Sequence, residues 1–593
     1  MFCLLGGNEM CGIAGLMPPS GALPDKKTLD CMSSSLKHRG PDGGGEFMAP
    51  GIGLVHRRLS IIDIENGNQP LSHPLGLHLV ANGEIYNYIE LREEFAAEEF
   101  KTRSDCEIPL HLYARLGENF ASRLRGMYSI AIYDERSRTL VLSRDPFGIK
   151  PLYYCEGSFG FAFASEPRAF FDAALVEPSL QMDAARELFQ LQYSSAAETA
   201  FQGVFRVFPG ETLIIQSGKI LRRERIHALP TGGPVPISVD DALANVETAL
   251  NDSVMVHQRS DVPYGLFLSG GVDSSALLAQ MAKLNHEPIK SYTIGFPGTG
   301  VADERDHARS IAVAFGSEHV EIDFTEKDFW NLLPQVVEMI DDPIADYAIL
   351  PTYKLASVAS RDVKVVLSGE GGDELFGGYG RYRSLAAPWR FFRRPGRLKG
   401  ALNGLGILRS ENEKWRKGRE QAMEIARADG RSSLQAEQVA DCNDWLTNDL
   451  LIKLDRCLMA HGLEGRTPML DPVVASAVFK FPDKLKVKGK YGKWILRKWL
   501  DNQLPNADAF ARKKGFTVPV DEWIRGHAEK LGLLVSQQPI ITELFYPDVV
   551  RKVFCVRDKR SGFAAWILLF FVLWHKAHIE RQKLSGNVFD VLE

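Results

Sequence analysis

No two of the eight cysteines stand at Cys-x-x-Cys spacing, and they are scattered from Cys3 to Cys555. That pattern argues against a disulfide framework and a zinc cluster and favours a reducing compartment. Nowhere is there a glycine-lysine phosphate loop of the Walker type, so a nucleotide has to be held in another way. The first residues carry no basic segment leading into a long apolar run, so no secretory signal is expected. The most apolar stretch, Ala565 to Trp574, is about half the length of a membrane span and reads as a buried helix. A net charge of −5 leaves no footprint for nucleic acid, and the richest basic patch, Arg390 to Lys399, reads as a solvated face. These absences leave a cytoplasmic protein, without membrane or nucleic-acid partners, that handles small molecules.

What is present is an ordinary globular composition, 45% apolar and 24% charged, in a chain of 593 residues that is too long for a single core. The chain is organised around Leu266 to Ser275, where an apolar strand runs into Ser269-Gly270-Gly271-Val272-Asp273-Ser274-Ser275 and then into an alanine- and leucine-rich helix. A glycine turn at a helix N-terminus aims unpaired N–H groups and the positive end of the helix dipole at one point, which suits a phosphate. An aspartate inside such a nest would repel phosphate unless a cation lay between, so Asp273 reads as a Mg²⁺ ligand. This string is similar to the pyrophosphate loop of the ATP pyrophosphatases. Val365 to Tyr379 repeats the pattern of apolar strand, glycine turn and acid, so Asp273 and Asp373 are expected to hold one Mg²⁺-pyrophosphate between them. Strands at Ser291–Phe296 and His319–Ile322 alternate with helices at Arg305–Phe315 and Phe329–Met339, the signature of a doubly wound parallel sheet.

The front of the chain has a different logic. Cys11 follows Met10, and a cysteine that becomes N-terminal can use its own α-amino group as base for its thiol. Asn82 and Gly83 supply a side-chain amide and an unhindered N–H, the two donors of an oxyanion hole. Arg58 can pair with an α-carboxylate and Asp105 with an α-ammonium, which outlines a site for an α-amino acid whose amide Cys11 attacks. Strands are expected at Gly126–Asp134, Thr139–Asp145 and Phe161–Glu166. A proline- and glycine-rich linker follows at His227–Ser238, and the segment from about Arg381 to Asp441 reads as a surface excursion.

The N-terminal cysteine, the HRGPD string at His38, the RLSI string at Arg58, the NGEIYN string at Asn82 and the SDCE string at Ser104 occur in one order. With the two glycine loops they resemble a class II glutamine amidotransferase joined to a synthetase, as in the glutamine-hydrolysing asparagine synthetase family. The resemblance runs from Met10 to about Leu573. It implies an αββα sandwich of the N-terminal-nucleophile hydrolase kind over 11–225, a linker at 226–238, and an ATP-pyrophosphatase domain with a helical C-terminal part over 239–580. By the same resemblance Cys11 is the nucleophile, and Arg58, Ile62, Asn82, Glu84 and Asp105 bind glutamine. Leu268, Ser269, Gly270, Gly271, Asp273, Ser274, Ser275, Ile294, Ser368 and Gly369 bind ATP. Glu370 borders the carboxylate being activated, Lys493 and Lys514 steady the departing pyrophosphate, and a homodimer is allowed. Cys11 is internal as the chain is written, so translation starts at Met10, a short leader is removed, or the glutaminase is silent; a start at Met10 is the expectation. The reaction expected is amidation of aspartate with ATP and glutamine. The alternatives are the same chemistry on another carboxylate, or a sensing protein that binds without turnover.

Overall fold

The computed structural model describes residues 11–40, 42–386, 400–410, 413–427, 430–511 and 517–593. The front half is built from β1 (Gly12–Met17), β2 (Gly43–Ala49), β3 (Ile52–Arg58), β4 (Leu71–His73), β5 (Leu77–Ile85) and β6 (Gly126–Asp134). It continues with β7 (Thr139–Arg144), β8 (Tyr153–Gly157), β9 (Gly160–Ala164), β10 (Val204–Arg206), β11 (Glu211–Gln216) and β12 (Lys219–Arg225). They form two antiparallel six-stranded sheets, β10-β8-β9-β1-β3-β2 and β12-β11-β7-β6-β5-β4. Alternate residues of β1, such as Ile13 and Met17, meet Val80, Ala131 and Leu142 of the other sheet in a dry layer between them. The residues between, Ala14 and Leu16, point the other way onto Leu29 and Met32 of helix Lys26–Ser35. On the far side, Leu79 and Ile130 pack on Ile108 and Leu112 of helix Ile108–Leu116. This period-two alternation gives the αββα layering expected from the resemblance.

The second half holds β13 (Tyr264–Phe267), β14 (Lys290–Gly295), β15 (Glu318–Asp323), β16 (Val365–Leu367) and β17 (Glu464–Arg466) in a parallel sheet ordered β15-β14-β13-β16-β17. The chain moves outward from β13 to β15 and then returns to the other side of β13 with β16. The switch point between β13 and β16 is where a doubly wound sheet opens a ligand crevice at its carboxyl end. Both glycine loops leave the sheet there.

Helix Lys559–His578 carries the apolar stretch seen in the sequence and is buried nearly throughout, with the indoles of Trp566 and Trp574 donating to the carbonyls of Ala345 (2.7 Å) and Asp341 (3.0 Å). No helix among the described residues is long and apolar enough to cross a membrane. The expected surface excursion at Arg381 to Asp441 is corrected. Helix Ser433–Asn443 is buried along almost its whole length, and Gln438 Nε2 donates to the Leu375 carbonyl (2.9 Å) just behind the second glycine loop. The mixed charge that looked solvated is neutralised internally, since Asp441 pairs with Arg381 (2.5 Å) and Arg419 (2.8 Å). Arg390 to Lys399 lies outside the described residues.

The two halves meet through buried charge. Arg39 pairs with Glu166 (2.8 Å) and with Asp455 (2.9 Å) of helix Leu451–Met459, and Arg456 pairs with Asp341 (3.1 Å) and Glu166 (3.4 Å). Removing one cation would leave carboxylates buried and unpaired, so Arg456→Ala is expected to destabilise the fold by about 3–5 kcal/mol. A lowered urea midpoint checks this, and an unchanged midpoint contradicts it.

Candidate active sites

The register of β1 against β3 sets Gly12 opposite Arg57, so Cys11 comes to lie beside Arg58 and Leu59. The Leu59 N–H donates to Cys11 Sγ (3.4 Å), and the thiol in turn faces the Leu59 carbonyl (3.6 Å). Burial pushes the thiol up to about 12, against the pull of the Leu59 hydrogen bond. The charges of Arg58, Glu84 and Glu464 all reach it. Asn82 and Gly83 sit on β5, paired with Ser129 and Tyr128 of β6. Asn82 Nδ2 is buried and makes no hydrogen bond within the described residues. Gly83 has φ +151°, and a Cβ there would lie 2.0 Å from the Met127 carbonyl oxygen, so only glycine fits.

Glu84 and Asp105 are both buried. Burial raises both carboxyls, Asp105 to about 6, and the Asp105 charge pushes Glu84 further up. The Ile85 N–H holds Asp105 Oδ2 (2.7 Å). Arg58 is buried. Its guanidinium donates to the main-chain carbonyls of Asp63 (2.5 Å), Ile64 (3.0 Å) and Ile62 (3.3 Å), so it braces the loop that carries Ile62.

At the other centre the residues expected to touch ATP line one cavity of about 700 Å³: Leu268, Ser269, Gly270, Gly271, Asp273, Ser274, Ser275, Ile294, Ser368 and Gly369. Glu370, Asp373 and Lys493 line it too. Gly270 takes φ +70°, turning the chain into helix Val272–Leu284. Ser274 Oγ accepts from the Ser269 N–H (3.2 Å) and closes the turn, while the Ser275 hydroxyl is buried with no hydrogen bond within the described residues. The loops touch where there is no room for side chains: a Cβ on Gly372 would lie 2.4 Å from Asp273 Oδ1, and one on Gly369 would lie 2.9 Å from Asp273 Cβ. Within the second loop a Cβ on Gly378 would lie 1.8 Å from Asp373 Oδ1.

Between the loops sits the Lys493 ammonium. It pairs with Asp373 Oδ1 (2.8 Å) and, more closely, with Asp273 Oδ2. The two carboxylates are therefore within reach of one small cation, and their hard oxygens are of the kind Mg²⁺ takes. Burial works against the ammonium, yet the two acids keep its affinity for the proton above that of an ordinary lysine. Lys493 itself has φ +54°, a left-handed conformation that costs a non-glycine residue about 1–3 kcal/mol and clusters at working sites. Lys514 lies outside the described residues.

Several further residues that line the cavity carry no local sequence signal. Lys453 pairs with Asp346 (2.7 Å) and faces Glu370, whose carboxyl is raised by burial. It follows a π-helical turn at Leu446–Leu450 that turns Trp445, Asp449 and Leu450 toward the same cavity, and Arg497 lines it from helix Trp494–Gln503. A lysine six residues before a methionine carries no signal by itself; only the bulge aims it.

Comparison with known proteins gives matches over both halves. Residues 10–225 match the glutamine amidotransferase domain family, and residues 245–576 match the asparagine synthase family. The chain is 34% identical to asparagine synthetase [glutamine-hydrolyzing] 1 of Bacillus subtilis, covering 98% of each chain. It is 30% identical to asparagine synthetase B [glutamine-hydrolyzing] of Escherichia coli, over 90% of this chain and 87% of that one. It is also 32% identical to the amidase chry2 of Gibberella zeae, over 64% of this chain and 61% of that one.

Lys493→Met would leave two carboxylates facing each other in a confined cavity, and one would take up a proton. A carboxyl whose folded affinity for protons is raised stabilises the fold below its unfolded value and loses that contribution as pH rises. The urea midpoint of Lys493→Met should therefore fall more steeply than wild type between about pH 5 and 8. Parallel curves would contradict the shared-cation geometry.

Proposed function

Because the chain belongs to the glutamine-hydrolysing asparagine synthetase family, we propose that its two centres act in series. Ammonia freed from glutamine at Cys11 amidates aspartate that ATP has activated between the two glycine loops. The observation that carries this reading is the convergence of Asp273 and Asp373 on one ammonium, inside the cavity lined by the residues expected to touch ATP.

At the first centre Glu84 and Asp105 receive the α-ammonium of glutamine, and the loop braced by Arg58 holds its other end. The thiol of Cys11 stays protonated at neutral pH, so a base has to take the proton as Sγ attacks. In a chain that begins at Cys11 the α-amino group does this. The S–C bond forms, Asn82 Nδ2 and the Gly83 N–H hold the oxyanion, the C–N bond breaks and ammonia leaves. Water then releases glutamate from the thioester.

At the second centre the side-chain carboxylate of aspartate attacks the α-phosphorus of ATP and pyrophosphate departs. The N–H groups at the start of helix Val272–Leu284 and the Lys493 ammonium offset the charge that builds on the phosphates. Asp273 and Asp373 would hold Mg²⁺, which neutralises pyrophosphate when bound. Ammonia attacks the acyl carbon, AMP leaves, and Glu370 beside Lys453 takes up the extra proton of the incoming nitrogen. Between the centres a single apolar cluster runs from Leu59, Tyr86 and Met127 through Ile149 to Leu266, Leu367 and Met469, with Cys11 packed at its edge. Such a lining keeps ammonia uncharged on its way. Cysteine usage supports a cytoplasmic setting.

Aspartate-dependent AMP formation, compared with a panel of other carboxylates, tests the acceptor. AMP with another carboxylate and none with aspartate would turn the reading to a different amidotransferase. Asn82→Ala should lower glutamine-driven turnover by about 10²–10³-fold while leaving ammonia-driven AMP formation near wild type. Gly372→Ala, which pushes Asp273 off its place, should abolish AMP formation and spare glutamate release. Loss of both activities in either variant would contradict the division of labour.

A further inference from the structure

One buried side chain of the synthetase half reaches the glutamine site. Arg466, at the end of β17, is fully buried in the synthetase half. Its Nη1 donates to the main-chain carbonyls of Arg259 (2.7 Å) and His257 (2.9 Å), and its Nε donates to Glu464 Oε1 (2.7 Å). Those three bonds fix the plane of the guanidinium. Its remaining nitrogen, Nη2, reaches across the interface to Glu84 Oε1 at 3.1 Å, an ion pair without the alignment of a hydrogen bond. The same residue's carbonyl accepts the N–H of Ser368 (2.8 Å), the first residue of the second glycine loop.

We propose that Arg466 is a positioning residue lent by the synthetase half to the glutamine site. Its ion pair with Glu84 favours the charged form of the buried Glu84–Asp105 pair against burial and orients that pair to receive the glutamine ammonium. The proposal rests on reading Glu84 and Asp105 as that receptor. Two buried acids side by side repel, and without a cation one of them is neutral and cannot hold an ammonium. Among the described residues, Glu84 is faced by the acids Asp105 and Glu464, by Cys11, Cys106, Tyr86 and Tyr88, and by the cations Arg466 and Lys150, of which Lys150 also reaches Glu464 (3.7 Å). Arg58 is committed to loop carbonyls. Among the described residues Arg466 is therefore the guanidinium paired with Glu84, and it comes from 382 residues away in sequence. A glutamine site of this kind is complete only when both halves are docked. The link to Ser368 is through the main chain, so substitution of the side chain leaves it in place.

The test is calorimetric titration of glutamine into the full chain carrying Cys11→Ala, which cannot turn glutamine over. Adding Arg466→Gln is expected to weaken glutamine about tenfold or more near pH 6, and by less near pH 8.5, where a larger fraction of the pair is ionised. Arg466→Lys should recover part of the loss by restoring a cation. In a Glu84→Gln background, Arg466→Gln should add little, because the partner it acts through is gone. Ammonia-driven AMP formation by Arg466→Gln should stay within about threefold of wild type, since that reaction does not use Glu84. Unchanged glutamine affinity, an equal loss at both pH values, additive effects with Glu84→Gln, or AMP formation falling in step would each overturn the proposal and make Arg466 a brace of the interface. If the parent with Arg466 intact binds no glutamine, the receptor reading itself fails, and the proposal with it.

Discussion

One ammonium group holds the synthetase centre together. Two carboxylates roughly 5 Å apart repel by about 3 kcal/mol at an effective dielectric near 20, and Asp273 and Asp373 are brought close by loops with no slack between them. Lys493 offsets that repulsion, and the site is built to keep it there. Its backbone is left-handed, Gly378 makes room for its side chain, and Gly372 lets Asp273 approach the second loop. The loops face each other because β13 and β16 are neighbours at the point where the chain reverses its direction across the sheet. Substrate phosphates entering the cavity meet one cation and two acids already arranged, so little reorganisation is needed when charge moves.

A second constraint ties this centre to the front half. The interface is not a loose contact between two independent domains. Buried arginines at 39, 456 and 466 each reach acids on the opposite half, and an apolar cluster fills the space between Cys11 and the parallel sheet. Arg39 is instructive. It belongs to the HRGPD string of the front half, donates to the Cys11 carbonyl (3.2 Å), and pairs with Asp455 of the back half. Charge buried in this way is costly unless fully paired, which favours one docked arrangement over a hinge. A reaction that passes a small neutral nucleophile from one centre to the other needs that rigidity and dryness.

Much of this was legible because glycine and short acidic strings leave local signatures. Gly270 has to be where φ is positive, Gly83 where a carbonyl leaves no room for Cβ, and the alternation of strand and helix after Tyr264 declares a parallel sheet without any tertiary information. The residues that the sequence misassigned or passed over are those whose work is set by contacts far along the chain. Arg58 also braces the loop that carries Ile62, a contact its RLSI string does not announce. Helix Ser433–Asn443 looked polar, but its acids meet Arg381 and Arg419 inside the protein. Lys453 depends on a π-helical turn, and Arg466 on an ion pair across the interface. No pattern along the chain encodes these, because their partners come from other elements.

If the shared cavity turns a carboxylate into an acyl-adenylate, the carboxylate oxygen becomes the bridge to phosphorus and stays there when ammonia displaces it. Aspartate labelled with ¹⁸O in its side-chain carboxylate should then leave one labelled oxygen in AMP for each asparagine made, read by mass spectrometry of the AMP. Label in pyrophosphate or inorganic phosphate, with none in AMP, would contradict an acyl-adenylate.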